Sequence, residues 1–222
     1  VEPRVAGIVP AAGRGVRFGG AAPKALQLLA DRPLLSWAVE SLSAVCDVVL
    51  VAAAADCVEA VQVAVPTAQV VVGGAERSDS VRACLAALPS SVEYVLVHDA
   101  ARPLASVELA ARVLDALREG AQAVVPGLPV ADTIKSVDEA GWVVSTAYRP
   151  ALRAVQTPQG FARTTLDAAH ASAGDATDDA GLVEQLGVKV LTVAGEARAI
   201  KVTTPDDLRY LEDVILPGVT RR

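Results

Sequence analysis

The stretch VPAAGRGVRF, from Val9 to Phe18, sets two glycines and two arginines directly after an apolar run, with Lys24 shortly beyond. Gly13 and Gly15 permit a turn in which backbone approaches a ligand closely, because no side chain stands in the way. A loop leaving the carboxyl end of a first strand can aim successive N–H groups at phosphate oxygens, and Arg14, Arg17 and Lys24 add charge there. A guanidinium grips two oxygens in a fixed fork, whereas an ammonium is a compact charge that follows an oxygen as it moves. Together they would stabilise charge developing on a reacting phosphate without a protein nucleophile. The combination points to a nucleoside triphosphate.

Two common glycine-loop patterns do not fit. GRGVRFGG lacks the GxxxxGK[ST] spacing, and Phe18 stands where the dinucleotide pattern GxGxxG needs its third glycine. A nicotinamide-dependent dehydrogenase is thereby disfavoured, while a plain tight turn with solvated arginines stays open on this loop alone.

Other polar clusters follow in order. GGAERSDSV, from Gly73, can hold a base or ribose through backbone and short hydroxyls, and Ser78 is expected to cap the following helix. In VLVHDAARP, Asp99 follows a buried-looking strand and can hold Mg²⁺ beside triphosphate oxygens, with Arg102 available to a substrate phosphate. His98 has no evident partner for base catalysis and is read as packing or hydrogen bonding. Thr133 and Lys135, Arg149, Thr157, Thr177 with Asp178, and Lys201 would suit a small phosphorylated polyol. Several have local uses too: strand pairing for Thr133, helix capping for Thr177, surface charge for Lys135 and Arg149. Lys201 lies in an apolar run, where an unpaired ammonium is costly, so its amine is expected to meet an anion.

These residues need a scaffold. Apolar runs at 5–10, 47–52, 69–72, 94–98 and 121–126 read as strands, and 36–45, 78–88 and 106–119 as helices between them. The strands lack steady polar alternation, as expected where helices cover both sheet faces, so a mostly parallel α/β sheet is predicted. Ser106 can cap a helix whose Leu109, Val113 and Leu117 form one stripe, with Gly120 at its end. Between Leu128 and Ala147 the pattern becomes two short extended pieces around DEAG, a hairpin that should pack on the body or on another subunit. A helix over 162–171, a strand over 189–193 and a last helix opening at Thr204-Pro205 complete the expected elements.

The 222 residues are read as one domain, and 20 Lys plus Arg against 26 Asp plus Glu exclude a generally basic nucleic-acid surface. Cys46, Cys57 and Cys84 show no CxxC or paired framework and are read as buried free thiols. No run approaches the roughly 20 apolar residues of a bilayer span, and no signal core is evident, so neither a membrane nor a nucleic acid is expected as partner, and a cytoplasmic location is.

Taken in order, PAAGRGVRFGGAAPKAL, GGAERSDSV, VHDAARP, DTIK, TPQGF, ATDDA and IKVTTPDDL closely resemble the 2-C-methyl-D-erythritol 4-phosphate cytidylyltransferase family of the non-mevalonate isoprenoid pathway, across almost the whole chain. The resemblance implies a Rossmann-like α/β fold with a projecting β-hairpin arm, one nucleotidyltransferase domain over 1–222 with its arm at about 128–153, and a homodimer. It implies cytidylyl transfer from CTP to 2-C-methyl-D-erythritol 4-phosphate, releasing pyrophosphate and using Mg²⁺. By motif, Ala11, Ala12, Gly13, Gly15, Arg17 and Lys24 look like the triphosphate loop, and Gly74 and Ser80 like part of the cytidine pocket. Asp99, the implied metal ligand, joins Arg102, Thr133, Arg149, Thr157, Thr177 and Lys201 on the acceptor side; Arg17, Lys24 and Lys201 form the implied catalytic set. Three positions depart from the common pattern: Phe18, Asp179 and Ala199 stand where many relatives carry Met, Glu and Asn. The last leaves open what anchors the loop of Lys201. A cytidylyltransferase for ribitol 5-phosphate or another polyol phosphate, and a noncatalytic nucleotide-binding or dimerising module, also remain open.

Overall fold

The structure, a computed structural model, describes residues 4–13, 23–172, 174 and 176–219. In chain order the first half contains β1 (Arg4–Pro10), β2 (Leu28–Leu29), β3 (Arg32–Pro33), α1 (Leu34–Ser43), β4 (Val48–Ala53), α2 (Val58–Ala64), β5 (Gln69–Val72), α3 (Arg77–Ala87) and β6 (Val92–Val97). There follow α4 (Val107–Arg118), β7 (Ala123–Pro129), β8 (Lys135–Val137), β9 (Val143–Thr146), β10 (Arg153–Val155), β11 (Gln159–Ala162), α5 (Arg163–Ala171), α6 (Asp179–Gln185), β12 (Leu191–Ala194), α7 (Pro205–Tyr210) and α8 (Leu216–Val219). The expected strands and helices are present, their ends displaced by a few residues.

The main sheet runs β10-β7-β11-β6-β1-β4-β5, with β12 also paired to β7. Pairings among β6, β1, β4 and β5 are parallel, as is β12 with β7, while β11 and β10 run antiparallel to their neighbours. This is a Rossmann-like, mostly parallel sheet with helices on both faces. Alternate residues of β1 enter opposite layers, as strand geometry requires. Val5 and Val9 pack with Leu35, Val39, Val61 and Val113; Ala6 and Ile8 pack with Val81, Leu85, Leu166 and Val183. Parallel strands are thus apolar on both faces, which is why they read as continuous runs.

Helix α4 forms as its sequence requires. Ser106 Oγ accepts the Leu109 N–H at 3.0 Å, and Leu109, Val113 and Leu117 are buried. Burying each contributes about 1.5–3 kcal/mol. The stripe lies close to β11 because Gly160 leaves room: a Cβ there would sit 2.5 Å from Val113 Cγ1. The cap of α3 differs from expectation. Ser78 lies inside the helix; Glu76 precedes it, and the Glu76 N–H is accepted by Asp79 at 3.1 Å. Glu76 and Asp79 form a reciprocal capping box in which the Glu76 side chain in turn accepts the first-turn Asp79 N–H, so no serine cap is needed. Likewise Asp178, not Thr177, caps α6, accepting the Gly181 N–H at 2.9 Å.

A smaller apolar cluster joins Leu29 and Leu34 to Leu104, Val202, Leu211 and Leu216. It fastens the last helices beside β2 and β3, which brings the segments carrying Lys24 and Lys201 to one end of the sheet. Strands β8 and β9 form the projecting hairpin, pairing Lys135 with Thr146 and Ser136 with Ser145. Its turn is held by Asp138, which accepts the Ala140 and Trp142 N–H groups, and Gly141 takes a left-handed φ of 87°. Every residue from 131 to 146 is exposed in the single chain, so the hairpin does not pack on its own body. Thr133 precedes β8 and takes no part in its pairing. Cys84 is buried and Cys46 and Cys57 half-buried, none of them in a disulfide; burial pushes the Cys46 and Cys84 thiols up to about 12, which leaves those two as packing groups.

Candidate active site

A cleft of about 290 Å³ opens where β1, β5 and β6 end. Ala11, Ala12 and Gly13 form its floor after β1, Lys24 one side, Gly74 and Ser80 another, and Asp99 and Lys201 the far wall. Open α/β sheets bind ligands outside the carboxyl ends of their strands, where connections diverge. Here the Ala11 N–H bonds the Ala52 carbonyl and the Gly73 N–H the Ala53 carbonyl, both at 2.8 Å, which fixes two turns side by side. Glycine is required for that closeness. A Cβ on Gly73 would lie 2.7 Å from both Ala12 Cβ and Ser80 Oγ, and one on Gly74 would lie 2.2 Å from Asp79 Cβ.

Charge is concentrated on the far wall. Lys201 Nζ lies 2.7 Å from Asp99 Oδ2, so the amine of Lys201 does meet an anion. Arg77 places Nε 3.4 Å from Asp99 Oδ1 and, on its other side, Nη1 2.6 Å from Asp179 Oδ2. The other Asp179 oxygen lies 2.9 Å from His170 Nε2, and both residues are buried. Lys201, Asp99, Arg77, Asp179 and His170 therefore form one chain of polar contacts running from the cleft into the space between α3, α5 and α6. Burial alone would push the Asp99 and Asp179 carboxyls upward. The Arg77 and Lys201 cations overcome this at Asp99, and the His170 hydrogen bond with Arg77 overcomes it at Asp179, so both lie below the ordinary carboxylate range. Burial opposes the charge on Arg77, but Asp179 and Asp99 outweigh it and raise its pKa.

Arg77 and the Asp179–His170 pair were not singled out in the sequence. A signal was available: an arginine in the first turn of a helix meets the positive end of the dipole, so it needs anions from elsewhere. His170 stands with Leu166 and Ala169 on the buried face of α5, where a polar ring needs a partner.

Lys24 Nζ donates to the Val202 carbonyl at 2.8 Å, joining the N-terminal loop to the segment of Lys201. Ser80 lines the cleft but is almost wholly buried, and its hydroxyl donates to the Glu76 carbonyl at 3.3 Å. Thr157 is also buried. Its hydroxyl accepts the Asp99 N–H at 3.0 Å and lies 2.8 Å from His98 Nδ1, so it sets Asp99 in place and gives His98 its hydrogen-bonding role. Gly15 and Arg17 lie outside the described residues.

The model of the family IspD, 2-C-methyl-D-erythritol 4-phosphate cytidylyltransferase, matches residues 5–216. The chain belongs to this family. A 2-C-methyl-D-erythritol 4-phosphate cytidylyltransferase from Nocardia farcinica is 53% identical over 216 residues, spanning 95% of this chain and 94% of that protein. The crystal structure of the Thermus thermophilus 2-C-methyl-D-erythritol 4-phosphate cytidylyltransferase is 38% identical, with a TM-score of 0.80 over 99% of this chain and 100% of that one. A 4-diphosphocytidyl-2C-methyl-D-erythritol synthase from Anaerococcus prevotii gives a TM-score of 0.83 at 28% identity, covering 99% of each chain. The chain is thus an enzyme of a cytidylyltransferase family, and its dense cluster of charges lies in the cleft.

The remaining residues implied by the family motifs lie away from that cleft. Arg102 donates to the Ala199 carbonyl at 2.7 Å and the Val155 carbonyl at 3.2 Å. Arg149 donates to the Ala131 carbonyl at 2.6 Å at the base of the hairpin, and Thr133 is exposed nearby. Thr177 lines a neighbouring recess of about 460 Å³ that shares Glu76 and Arg77 with the cleft. Among the described residues no group of three or more His, Cys, Asp or Glu side chains could hold a metal. Asp99 is the less exposed of the two carboxylates lining the cleft, the other being Glu76, and a cation there would need ligands from elsewhere.

Proposed function

We propose that this protein transfers the cytidylyl group of CTP to 2-C-methyl-D-erythritol 4-phosphate, forming 4-diphosphocytidyl-2-C-methyl-D-erythritol and pyrophosphate for isoprenoid synthesis by the non-mevalonate route. The observation that carries this is the convergence of Lys24, Lys201 and Asp99 on one cleft beside the glycine turn, in a chain of this family. The acceptor's phosphate oxygen attacks the α-phosphorus, a new P–O bond forms, and the bond from the α-phosphorus to the pyrophosphate oxygen breaks. The nucleophile is already largely anionic near pH 7, since the second pKa of a phosphate monoester is about 6. No histidine base is required, in keeping with His98 being buried and its pKa lowered to about 4, first by burial.

The obstacle is bringing two polyanions together. Lys24 and Lys201, joined by the sequence-expected Arg17, which lies outside the described residues, would supply positive charge around the triphosphate and hold the reacting atoms in line. The Lys201 side chain is 44% exposed, so its ammonium can pass from Asp99 to a phosphate oxygen at little desolvation cost. A single carboxylate fits Mg²⁺, which commonly takes one or two protein oxygens and completes its shell with phosphate and water. When bound, Mg²⁺ would be held by Asp99 and neutralise charge on the transferring and leaving phosphates.

Thr133 and Arg149 sit on an arm that does not touch its own body. They join an acceptor site if two chains pair and each arm reaches the neighbouring cleft. Exposed Trp142, Val143, Val144 and Tyr148 support that homodimer, since such a group of apolar side chains favours a partner surface. We treat residues 1–222 as one nucleotidyltransferase domain including this arm, at work in the cytoplasm; among the described residues no helix is long and apolar enough to cross a membrane.

The test is pyrophosphate release with Mg²⁺ and CTP, using 2-C-methyl-D-erythritol 4-phosphate, ribitol 5-phosphate and other polyol phosphates as acceptors. Release with methylerythritol phosphate at much the highest kcat/KM supports the proposal. Preference for another polyol phosphate, or CTP binding without transfer to any acceptor, contradicts it.

A further inference from the structure

The loop carrying Lys201 has no polar side chain at Ala199, which is fully buried. It is held instead through its main chain, and the buried side chain of Gln156 is at the centre of that hold. Gln156 Oε1 accepts the Glu196 N–H at 2.9 Å, while Nε2 donates to the Glu196 carbonyl at 2.8 Å and the Ala199 carbonyl at 3.3 Å. The Gln156 backbone is itself tied to the sheet, its N–H donating to the Pro126 carbonyl at 2.8 Å. Gly195 lets the side chain approach, since a Cβ there would lie 2.5 Å from Gln156 Oε1. Arg102 adds a second donor to the Ala199 carbonyl, and the Val202 N–H bonds the Ala101 carbonyl at 2.8 Å. Ile200 and Lys201 are therefore suspended between two fixed points, Ala199 and Val202. Only Ile200 separates the clamp at Ala199 from Lys201 and its reach to Asp99.

We propose that Gln156 is a positioning residue that fixes the 195–202 loop so that the Lys201 ammonium is presented to the reacting phosphates. The amide is suited to this because one oxygen and one NH₂ group answer both an N–H and two carbonyls of the loop. A carboxylate of the same length would turn an acceptor toward those carbonyls, and a thioether would satisfy none of the three groups. The neighbouring Thr157 hydroxyl holds the Asp99 N–H, so consecutive residues register the two members of the Lys201–Asp99 pair from one strand end. The inference rests on Lys201 acting on the phosphates as proposed above.

The experiment is a double-mutant cycle on kcat with the parent, Gln156→Met, Lys201→Ala and the double variant, combined with amide hydrogen exchange over the loop. Gln156→Met is expected to lower kcat about 10- to 100-fold, as misplacement by an ångström can, and to speed exchange of the Glu196 amide. Lys201→Ala is then expected to lower kcat much less in the Gln156→Met background than in the parent. If the two effects multiply, or Gln156→Met keeps the parent's kcat, Gln156 does not act through Lys201 and the inference is overturned. If Lys201→Ala alone turns over like the parent, the role given to Lys201 fails first and the inference falls with it. Should Gln156→Met not fold, Gln156→Asn, which keeps both polar groups but is one methylene short, completes the same cycle with the same expectations.

Discussion

Lys201 holds its ammonium 2.7 Å from the carboxylate of Asp99, although the two residues come from opposite sides of the hairpin and 101 residues lie between them. The contact joins the end of β6 to the loop preceding α7. It makes the cleft a composite of N-terminal, central and C-terminal segments, and losing the Lys201 charge should affect chemistry more than folding.

For Lys24→Ala and Lys201→Ala, turnover is expected to fall about 100-fold or more, the size seen when a donor to developing charge is removed. The thermal midpoint of Lys201→Ala should stay near that of the parent, because Lys201 is 44% exposed and Arg77 still faces the Asp99 carboxylate once the ammonium is gone. Steady-state kinetics with CTP and the acceptor varied in turn, alongside thermal unfolding, separates the two effects. Parent-like turnover in either variant would remove that lysine from the mechanism.

Asp179→Asn is expected to destabilise the fold by on the order of 3 kcal/mol at pH 7, since it leaves Arg77 and His170 facing each other without their shared anion. The pH dependence has a definite sign. Folding lowers the pKa of Asp179 from 3.8, so its ionised form stabilises the native state above that value and the contribution is lost as pH falls below it. Asp99 loses its contribution in the same range. Denaturant unfolding between pH 7 and pH 3 should therefore show a shallower acid loss in Asp179→Asn than in the parent.

His98 governs a milder window. Its pKa falls from 6.5 in the unfolded chain to about 4 in the fold, mainly through burial. Between those values the unfolded chain binds a proton that the native state refuses, so stability is complete above pH 6.5 and declines by about 3 kcal/mol toward pH 4. His98→Asn is expected to flatten the slope of unfolding free energy against pH in that interval, whatever it does to stability at pH 7. An unchanged slope would mean that His98 titrates normally in the fold.

Trp142→Glu, on the exposed hairpin, tests the assembly. The folded body should be unaffected, because residues 131–146 make no buried contact within the chain. If two chains pair through the arm as proposed, sedimentation should show a dimeric parent and a monomeric variant, with acceptor turnover reduced and CTP binding retained; a monomeric parent would contradict the pairing. A variant that stays dimeric would place the interface elsewhere.

How far these features could be read from sequence followed the range of the interactions. The cap of α4, the doubly buried strands and the DEAG hairpin depend on neighbours within a few residues and were legible. So was the need of Lys201 for an anion, because an ammonium in an apolar run states a requirement without naming its partner. Arg77 was missed because its anions, Asp99 and Asp179, reach it only through the sheet's crossovers. Ser78 and Thr177 both matched a capping pattern, yet Asp79 and Asp178 meet those helix ends instead. Thr157, read as a contact for the acceptor, proves to have its hydroxyl engaged by His98 and the Asp99 N–H. A short polar residue near a helix or a phosphate site can serve either locally or at a distance, and only the fold decides which.

The central claim, that the triphosphate is held between the glycine turn and the two lysines, is tested most directly by a crystal structure of the protein with CTP and Mg²⁺. The account predicts phosphate oxygens within hydrogen-bond distance of the Lys24 and Lys201 ammonium groups, with the cytosine beside Gly74 and Ser80. Density for CTP in another cavity, with both lysines turned away from its phosphates, would contradict it.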